Sequence, residues 1–339
     1  MKPTILSLLT DRHRKTVFRD EVWEQINAMY TVTCASSDQA AESALADASA
    51  VLTGWGTSFV FTPARLRSAK NLRIIAHTAG SVKPFFPDHD ARELLLRREI
   101  IVFSGVEGMA ANVAEAAVGL LILAMRRWPE LSNAFPGDPR IGLVDDGDCI
   151  PRNGRFLRGA TIGLVGLSTV ARKIIPLLKA FDCRILAYDP FVSAQDASRL
   201  GVQLIELDEL FRRCDAVSLH APALPATRHM IGATQLRLLR DGATLVNTAR
   251  GMLLDHDALY DECRTGRISV ALDVTDPEPL PAGSPLLGLP NVYVLPHVAG
   301  LGHAGLFQIG DDAFEALNLA LSGDLVPGAV PLQRWESIA

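Results

Sequence analysis

Three ionisable side chains follow three successive apolar runs in the last third of the chain. Arg250 comes after LVNTA, Glu278 after VALDVTDP and His297 after VYVLP. These residue types bind anions and transfer protons. Because the carboxyl ends of parallel strands form the ligand crevice of an open α/β sheet, we expect the three side chains to converge there.

Each of the three residues also has an ordinary structural explanation when it is considered alone. An arginine after a strand is commonly solvated or ion-paired. Glu278 stands between two prolines, as a turn carboxylate would, and His297 could cap a loop. Their order after three successive strands is what favours a shared site.

A dinucleotide site is also indicated by the stretch TIGLVGLSTVARK at residues 161–173. In the pattern G-x-G-x-x-G, Gly166 takes the first position, Ser168 the second and Ala171 the third. Ser168 is the departure, because its Cβ narrows the approach to the phosphates, although its hydroxyl could donate to one. The N–H groups of Ser168, Thr169 and Val170 would still open a helix toward an anion. An ordinary strand–turn–helix remains the alternative for this stretch alone.

An acidic residue at the end of the next strand supports the dinucleotide interpretation. The run CRILAYDP ends at Asp189, which lies 23 residues after Gly166. A carboxylate at this place accepts hydrogen bonds from ribose hydroxyls. It would repel a 2′-phosphate, and the residues that follow it include no arginine to receive one. The sequence therefore predicts NAD rather than NADP.

The elements that must position these groups are indicated by the alternation of apolar runs with helical stretches. Six runs predict strands in the second half of the chain, at 161–166, 183–188, 215–219, 243–247, 268–272 and 292–295. Helical stretches lie between them, at 168–180, 206–213, 234–239 and 255–265. Six strands with helical crossovers describe a doubly wound nucleotide-binding fold. Residues 1–105 alternate in the same way around four apolar runs, which predicts a second parallel sheet.

Three further segments connect or complete these halves. Residues 112–127 predict a long helix with Asn112 as its N-cap, either buried in the core or in contact with another subunit. Residues 129–158 are rich in proline and glycine and predict a long loop, of the kind that often serves an interface or a site. A last helix is expected at about 303–321.

Composition excludes several classes of function. The 339 residues suggest two domains, and 48% apolar with 21% charged residues is usual for a globular protein. A net charge of −5 without a basic stripe argues against nucleic acid as a partner. Five scattered cysteines indicate free thiols in the cytoplasm, and no spacing suggests a metal site. The apolar run Val113 to Met125 is expected to be too short to cross a membrane.

Several motifs, in their order along the chain, resemble those of the D-isomer-specific 2-hydroxyacid dehydrogenases. They are NVAEAAVGLLI (112–122), HAPALPATRHMIG (220–232), LVNTARG (245–251), LDVTDPEPL (272–280) and LPNVYVLPHVAG (289–300). The resemblance spans nearly the whole chain. It implies two Rossmann/flavodoxin-like doubly wound parallel-sheet domains with a cleft between them. Residues 1–107 plus 300–339 would form the substrate-binding domain, and residues 108–299 the NAD-binding Rossmann domain.

The resemblance also implies a role for each candidate residue. Arg250 corresponds to the clamp on the carboxylate and carbonyl of a 2-oxo acid, since a guanidinium can hold such a group bidentately. His297 corresponds to the general acid/base. Glu278 corresponds to its partner, which favours the imidazolium form. The substrate carboxylate is expected to meet the backbone amides of the loop at Gly80, Ser81 and Val82.

The resemblance extends the cofactor-binding set beyond the glycine-rich turn and implies a homodimer. The predicted contacts with NAD are Gly166, Ser168, Thr169, Val170, Asp189, His220, Pro222, Thr227, Thr248, Ala249, Arg250, Asp273, His297 and Gly300. His220 is as readily explained as a structural hydrogen-bond partner. The other histidines, His77 and His256 among them, are assigned to surface or structural positions.

The leading hypothesis is therefore an NAD-dependent 2-hydroxyacid dehydrogenase. The small-molecule substrate would be a 2-oxo or 2-hydroxy acid, whose side chain would lie near Trp55 and Gly56. The alternative is a binding or regulatory protein that kept the NAD fold, because the C-terminal-binding corepressors resemble the same family. Ser168 and the unusual stretch FFPDHD at residues 85–90 leave room for that alternative.

Overall fold

The computed structural model describes residues 2–137 and 154–337. The chain forms two compact units. One unit comprises Met1–Ala110 and Leu301–Ala339, and the other comprises Ala111–Gly300. Both are built on parallel sheets with helices, as the sequence predicts.

The first unit contains a five-stranded parallel sheet. Its strands are β1 (Thr4–Ser7), β2 (Thr31–Cys34), β3 (Ala50–Thr53), β4 (Ile74–His77) and β5 (Ile101–Ser104). The spatial order β2-β1-β3-β4-β5 is that of flavodoxin-like folds, and the prediction of that fold is confirmed. The strand β2 has no counterpart among the four predicted runs. It lies at the edge of the sheet with most of its residues exposed, so TVTC carries no apolar run.

The second unit contains a seven-stranded parallel sheet. Its strands are β6 (Thr161–Val165), β7 (Arg184–Tyr188), β8 (Gln203–Leu204), β9 (Ala216–Leu219), β10 (Thr244–Asn247), β11 (Ser269–Leu272) and β12 (Val292–Val294). The spatial order is β12-β11-β10-β9-β6-β7-β8, so the sheet is doubly wound and its order reverses between β6 and β9. The prediction of six strands omitted β8, which is only two residues long and pairs at the edge.

Helices cover both sheets, and each unit has apolar clusters on the two sheet faces. In the first unit and up to the crossover they are α1 (Asp11–Val17), α2 (Asp20–Met29), α3 (Asp38–Leu45), α4 (Pro63–Ser68), α5 (His89–Arg97) and α6 (Val106–Met125). The remaining helices are α7 (Trp128–Ala134), α8 (Thr169–Ala180), α9 (Ala194–Leu200), α10 (Leu207–Arg213), α11 (Ala233–Leu238), α12 (His256–Cys263) and α13 (His303–Ser322). The helix α9 was not predicted.

The helix α6 corrects two predictions. It begins at Val106, so Asn112 lies inside the helix and is not its N-cap; the Asn112 amide instead donates to the carbonyl of Gly300 at 3.3 Å. At 20 residues, α6 is also long and apolar enough to cross a membrane by length and composition alone, so the argument from a short run was wrong. Half of its most apolar window is nevertheless buried in the protein, as in the core helices of globular domains.

The predicted loop at 129–158 is partly helical. The helix α7 covers its first residues with Pro129 in the first turn, a position that proline tolerates because the N–H there is unpaired. Residues 138–153 of the predicted loop lie outside the described residues. Arg155 forms an ion pair with Asp215, the residue before β9, at 2.8 Å.

Candidate functional site

His297 lies on the loop after β12, in a backbone conformation that is uncommon for its residue type. Its φ angle is +56°, in the left-handed region. Its N–H donates to the carbonyl of Asp273, the residue that follows β11, at 2.9 Å. Such conformations persist where surrounding contacts over-determine them, and they cluster at functional sites.

Asp273 supplies those surrounding contacts. Asp273 is 1% exposed, and its carboxylate accepts from the N–H groups of Val298 at 2.8 Å and Ala299 at 2.9 Å. The carbonyl and both carboxylate oxygens of Asp273 therefore hold three successive residues of the histidine loop. Its carboxylate oxygens are thus used within the protein, and its contact with NAD stays a prediction.

The imidazole of His297 is paired with Glu278. The His297 Nδ1 and Glu278 Oε1 atoms are 2.5 Å apart, and both side chains are about half exposed. Because a carboxylate oxygen accepts, Nδ1 donates in this pair. The Nε2 atom makes no hydrogen bond within the described part of the chain, so the pair leaves this atom available at the surface.

Arg250 follows β10 on a turn that Asn247 closes. The Asn247 side chain accepts from Ala249 N–H at 3.0 Å and donates to the Arg250 carbonyl at 2.9 Å. Desolvation by neighbouring groups lowers the pKa of Arg250, and the charge of Glu278 opposes that shift. The residue still keeps an exposed surface, so we take its guanidinium as charged at neutral pH.

Arg250, Glu278 and His297 thus come from the ends of three neighbouring strands, β10, β11 and β12. The adjacency of these strands is what brings an imidazole, its carboxylate and a guanidinium to one edge of the sheet. Groups of this kind can hold an anion and exchange a proton beside it.

The glycine-rich turn after β6 has the geometry that a dinucleotide needs. Gly166 has a φ angle of +91°, and a Cβ built on it would lie 2.7 Å from Ala221 N. Its neighbour Leu167 donates its N–H to Asp189 Oδ2 at 2.7 Å, and Phe191 N–H donates to Asp189 Oδ1 at 2.9 Å. Asp189 therefore fixes the turn from the end of β7.

The start of α8 presents its N–H groups beside this turn. Ser168 is the N-cap residue by backbone geometry, but its hydroxyl caps no N–H of the described helix. Thr169 and Val170 form the first turn of α8 and are partly exposed, like Ser168. Arg172 Nε donates to the Leu167 carbonyl at 3.1 Å. This cation near the turn was missed from the sequence, although a basic residue in the first turn of the helix was visible there.

Three buried polar atoms near the carboxyl ends of β9 and β10 have no hydrogen-bond partner among the residues that the structure describes. They are Ser218 Oγ, His220 Nε2 and Thr248 Oγ1. Burial lowers the pKa of His220 to about 3, so its imidazole is neutral. Ser218 pairs in register with Val246, and His220 and Thr248 follow directly after the ends of these two neighbouring strands. Ser218 was not predicted, although a serine within the apolar run AVSL is a visible signal.

Unpaired buried polar atoms are uncommon in native proteins and are usually satisfied by a ligand group or ordered water. Together with the left-handed Gly166 turn, they fit a polar cofactor such as a dinucleotide at this edge of the sheet.

The remaining predicted cofactor contacts include residues whose polar groups are already bonded within the protein. The Thr227 hydroxyl donates to the Pro222 carbonyl at 2.6 Å and accepts from Leu224 N–H, so it closes its own turn. Gly300 is buried at the end of the histidine loop.

The predicted substrate loop lies in the first unit, directly after β4. The Ser104 hydroxyl donates to the Gly80 carbonyl at 2.6 Å. Val82 is buried, and Ser81 is partly buried. In the described part of the chain, the N–H groups of Gly80 and Val82 donate to no protein acceptor. Free amides in a turn are suited to bind an anion.

A buried polar cluster next to this loop was not predicted from the sequence. His13 Nε2 lies 2.8 Å from Thr78 Oγ1, whose hydroxyl donates to the Thr53 carbonyl at 2.9 Å, and Thr53 Oγ1 lies 2.9 Å from His77 Nδ1. Because the Thr78 hydroxyl donates its only proton to Thr53, it can only accept from His13. His13 Nε2 therefore carries a proton. Burial lowers the pKa of both histidines to about 4. The partly exposed Trp55 packs edge-on against His13, with ring centroids 5.0 Å apart.

Comparisons with known proteins agree with this architecture. The profile of a family described as "D-isomer specific 2-hydroxyacid dehydrogenase, NAD binding domain" matches residues 120–299. A D-3-phosphoglycerate dehydrogenase of Methanocaldococcus jannaschii is 32% identical over 267 residues, 78% of this chain and 48% of the relative. The chain thus spans about half the length of that relative. A glyoxylate reductase of Korarchaeum cryptofilum is 33% identical over 78% of this chain and 77% of its own length.

Solved structures show the same fold along nearly the whole chain. The TT0316 protein of Thermus thermophilus matches 96% of this chain and 99% of its own with a TM-score of 0.73 and 26% identity. The apo form of D-mandelate dehydrogenase from Rhodotorula graminis matches 97% of this chain and 98% of its own with a TM-score of 0.80. At 22% identity, the second likeness concerns the fold alone.

Proposed function

The chain belongs to the D-isomer specific 2-hydroxyacid dehydrogenase family, and from that premise we propose that it is an NAD-dependent oxidoreductase that interconverts a 2-hydroxy acid and a 2-oxo acid. The observation that carries the proposal is the contact of 2.5 Å between His297 Nδ1 and Glu278 Oε1 at the strand end next to that of Arg250. A protein that only binds a nucleotide has no need of such a pair, so the corepressor-like alternative is not favoured.

The residues divide the work of the reaction between them. Arg250 holds the substrate carboxylate and polarises its carbonyl through a charged, planar guanidinium. His297 donates a proton from Nε2 to the carbonyl oxygen during reduction and removes it during oxidation. Glu278 accepts from Nδ1, which orients the ring and stabilises its protonated form. Asp273 keeps the loop of His297 in place. Bound NAD(H) supplies the hydride acceptor or donor.

The cofactor contacts are assigned to the unit Ala111–Gly300. The N–H groups of Ser168, Thr169 and Val170 would receive the diphosphate at the start of α8. Asp189 would accept from the ribose hydroxyls, and its negative charge favours NAD over NADP. His220, Thr248 and Ala249 would face the nicotinamide side. In the other unit, the amides of Gly80, Ser81 and Val82 are assigned to the substrate carboxylate.

The direct test is NADH oxidation with a panel of 2-oxo acids: glyoxylate, hydroxypyruvate, pyruvate and phenylpyruvate. D-3-phosphoglycerate with NAD⁺ is added because relatives are named for that substrate. We expect turnover of at least one acid and a preference for NADH over NADPH. Binding of NADH without turnover of any acid would instead support the binding-protein alternative.

We further propose that the protein acts as a homodimer in the cytoplasm. Large aromatic side chains are exposed where α6 ends, namely Trp128, Phe135 and Phe156 at 51%, 54% and 65% exposure. Phe156 also lines a groove of about 650 Å³, together with Phe181. The four cysteines in the described residues are free thiols, as expected in a reducing compartment. Light scattering should give the mass of two chains, and Phe156→Asp should shift it toward one.

A further inference from the structure

The turn that carries Glu278 is held by groups that the proposed mechanism does not use. Asp276 precedes Glu278 by two residues on this turn. Its backbone N–H donates to His256 Nε2 at 3.4 Å, and its carboxylate pairs with Arg228 at 3.2 Å. Two side chains from two other segments therefore meet at one residue of the catalytic turn.

The same turn also lies directly against the segment that follows Arg250. A Cβ built on Gly251 would come within 2.0 Å of the Thr275 carbonyl group and 2.6 Å of Asp276 N. Since these are backbone atoms, no side chain could be accommodated there by a rotamer change. The backbone after Arg250 and the backbone before Glu278 are thus in contact.

His256 joins these two backbones through both of its ring nitrogens. Its Nδ1 lies 3.2 Å from the carbonyl of Leu254 and its Nε2 accepts from Asp276 N–H. A carbonyl oxygen can only accept, so Nδ1 carries the proton and Nε2 is free to accept. The Nδ1 hydrogen bond survives protonation of the ring, but acceptance by Nε2 requires the neutral form. Burial lowers the pKa of His256, with opposing contributions from the Leu254 carbonyl, Asp276 and Asp255 and a supporting one from His229, so the neutral form is the one present at pH 7.

The ring itself is fixed in position by the elements around it. Asp255 caps α12 by accepting from the N–H groups of Asp257 and Ala258, which fixes His256 at the first position of the helix. The residues before it pair with the segment that carries Arg228, through His229 N–H to the Met252 carbonyl at 2.8 Å and Asp255 N–H to the Ile231 carbonyl at 3.0 Å. His256 therefore has little freedom to follow the turn if the turn moves.

We propose that His256 is a positioning residue of this oxidoreductase: it fastens the turn that carries Glu278 to the loop that carries Arg250, and thereby sets the distance between the carboxylate and His297. Arg228 supports it through the ion pair with Asp276, with a smaller contribution because both side chains are partly exposed. This inference rests on the proposed function, since it concerns how well the catalytic pair is aligned.

The test compares three substitutions of His256 with a matched control. His256→Gln keeps an acceptor near Nε2, His256→Asn keeps only a group near Nδ1, and His256→Phe removes both. His89→Phe is the control, because His89 is exposed on α5. We expect His256→Phe and His256→Asn to lower kcat by about 10- to 100-fold, as misalignment of a catalytic pair does. NADH affinity should stay at the control value, and His256→Gln should recover most of the loss.

Two results would overturn the proposal: a kcat for His256→Asn equal to that of the control, or a His256→Gln variant no more active than His256→Asn. Should His256→Phe fail to fold, the Asn and Gln variants alone carry this comparison.

A second measurement separates this proposal from the proposed function. Amide hydrogen exchange of the peptide containing Asp276 needs no turnover. We expect faster exchange at Asp276 in His256→Asn and wild-type exchange in His256→Gln. If wild-type protein reduces no 2-oxo acid, the proposed function fails while this exchange difference still supports the connection between the loops. Unchanged exchange in His256→Asn would overturn the connection whatever the activity.

Discussion

At the scale of single residues, the candidate site depends on one histidine held by two acidic residues with different tasks. Glu278 accepts from the ring, whereas Asp273 accepts from the backbone on its carboxyl-terminal side. One sets the chemistry of the ring and the other its position. The sequence pointed to both acids but could not distinguish these tasks, because an aspartate one residue past a strand can face either a ligand or its own loop.

His297 is the residue whose loss should affect turnover most. His297→Ala removes the proton donor, and we expect kcat to fall by about 10²- to 10⁴-fold. The affinity for NADH, measured by the change in its fluorescence, should be largely kept because the glycine-rich turn is untouched. A kcat unchanged from wild type would exclude His297 from the mechanism.

Asp189 is the residue that should decide between the two nicotinamide cofactors. Asp189→Ala removes the repulsion of a 2′-phosphate, and it also frees Leu167 N–H and Phe191 N–H. We expect weaker binding of NADH and a smaller preference over NADPH, measured as the ratio of kcat/KM for the two cofactors. Equal use of NADH and NADPH by the wild-type protein would contradict this interpretation of Asp189.

At the scale of elements, the strand–turn–helix from β6 to α8 departs from the usual glycine pattern at its second position but keeps the first. Gly166 is required twice over, by its left-handed φ angle and by its contact with the backbone at Ala221. The backbone of the turn accepts Ser168, because this N-cap residue has an extended conformation that any residue adopts. The sequence could identify the substitution but not whether the turn survives it.

Gly166→Ala should therefore damage the turn in a way that an ordinary glycine substitution does not. A left-handed alanine costs about 1–2 kcal/mol, and its Cβ would push against a backbone that cannot rotate away. We expect a lower free energy of unfolding in urea and weaker NADH binding. The matched control is Gly283→Ala, because Gly283 has no heavy atom within 4 Å of the added Cβ. Equal effects of the two substitutions would contradict the argument.

At the scale of the whole molecule, the buried histidines of the first unit predict how stability depends on pH. His13 and His77 are neutral in the folded protein, where burial lowers the pKa of each to about 4. The unfolded chain binds protons at these residues below a pKa of about 6.5. Between these two values the unfolded state holds more protons, so the free energy of unfolding falls as the pH falls from about 6.5 to about 4.

Each such histidine contributes a slope of about 1.4 kcal/mol per pH unit in that window. His77→Asn should therefore flatten the dependence on pH of unfolding in urea, followed by the fluorescence of Trp23, Trp55 and Trp335 in the same unit. His89→Asn, at an exposed position, is the control and should leave the slope unchanged. Identical slopes in wild type and His77→Asn would show that the buried pair does not determine the acid sensitivity.

The sequence by itself determined the parallel sheets, most of their strands and the candidates for chemistry. A buried strand must be apolar along its length, and a residue just past it must reach the carboxyl edge, so both can be inferred locally. The edge strands β2 and β8 were not predicted. β2 is mostly exposed and β8 is only two residues long, so neither has an apolar run. The start of α6 was predicted too late in the chain, because the residues before Asn112 are also compatible with a helix.

Only the tertiary structure decided which of these residues meet and what holds them. The left-handed backbone of His297, the hold of Asp273 on its loop, the ring of His256 between two loops and the cluster of His13 with Thr78 all join residues distant in sequence. No local pattern encodes such partners, because a hydrogen bond depends on where two strands end in space rather than on their composition. The candidates for chemistry are therefore a property of the sequence, and their alignment is a property of the fold.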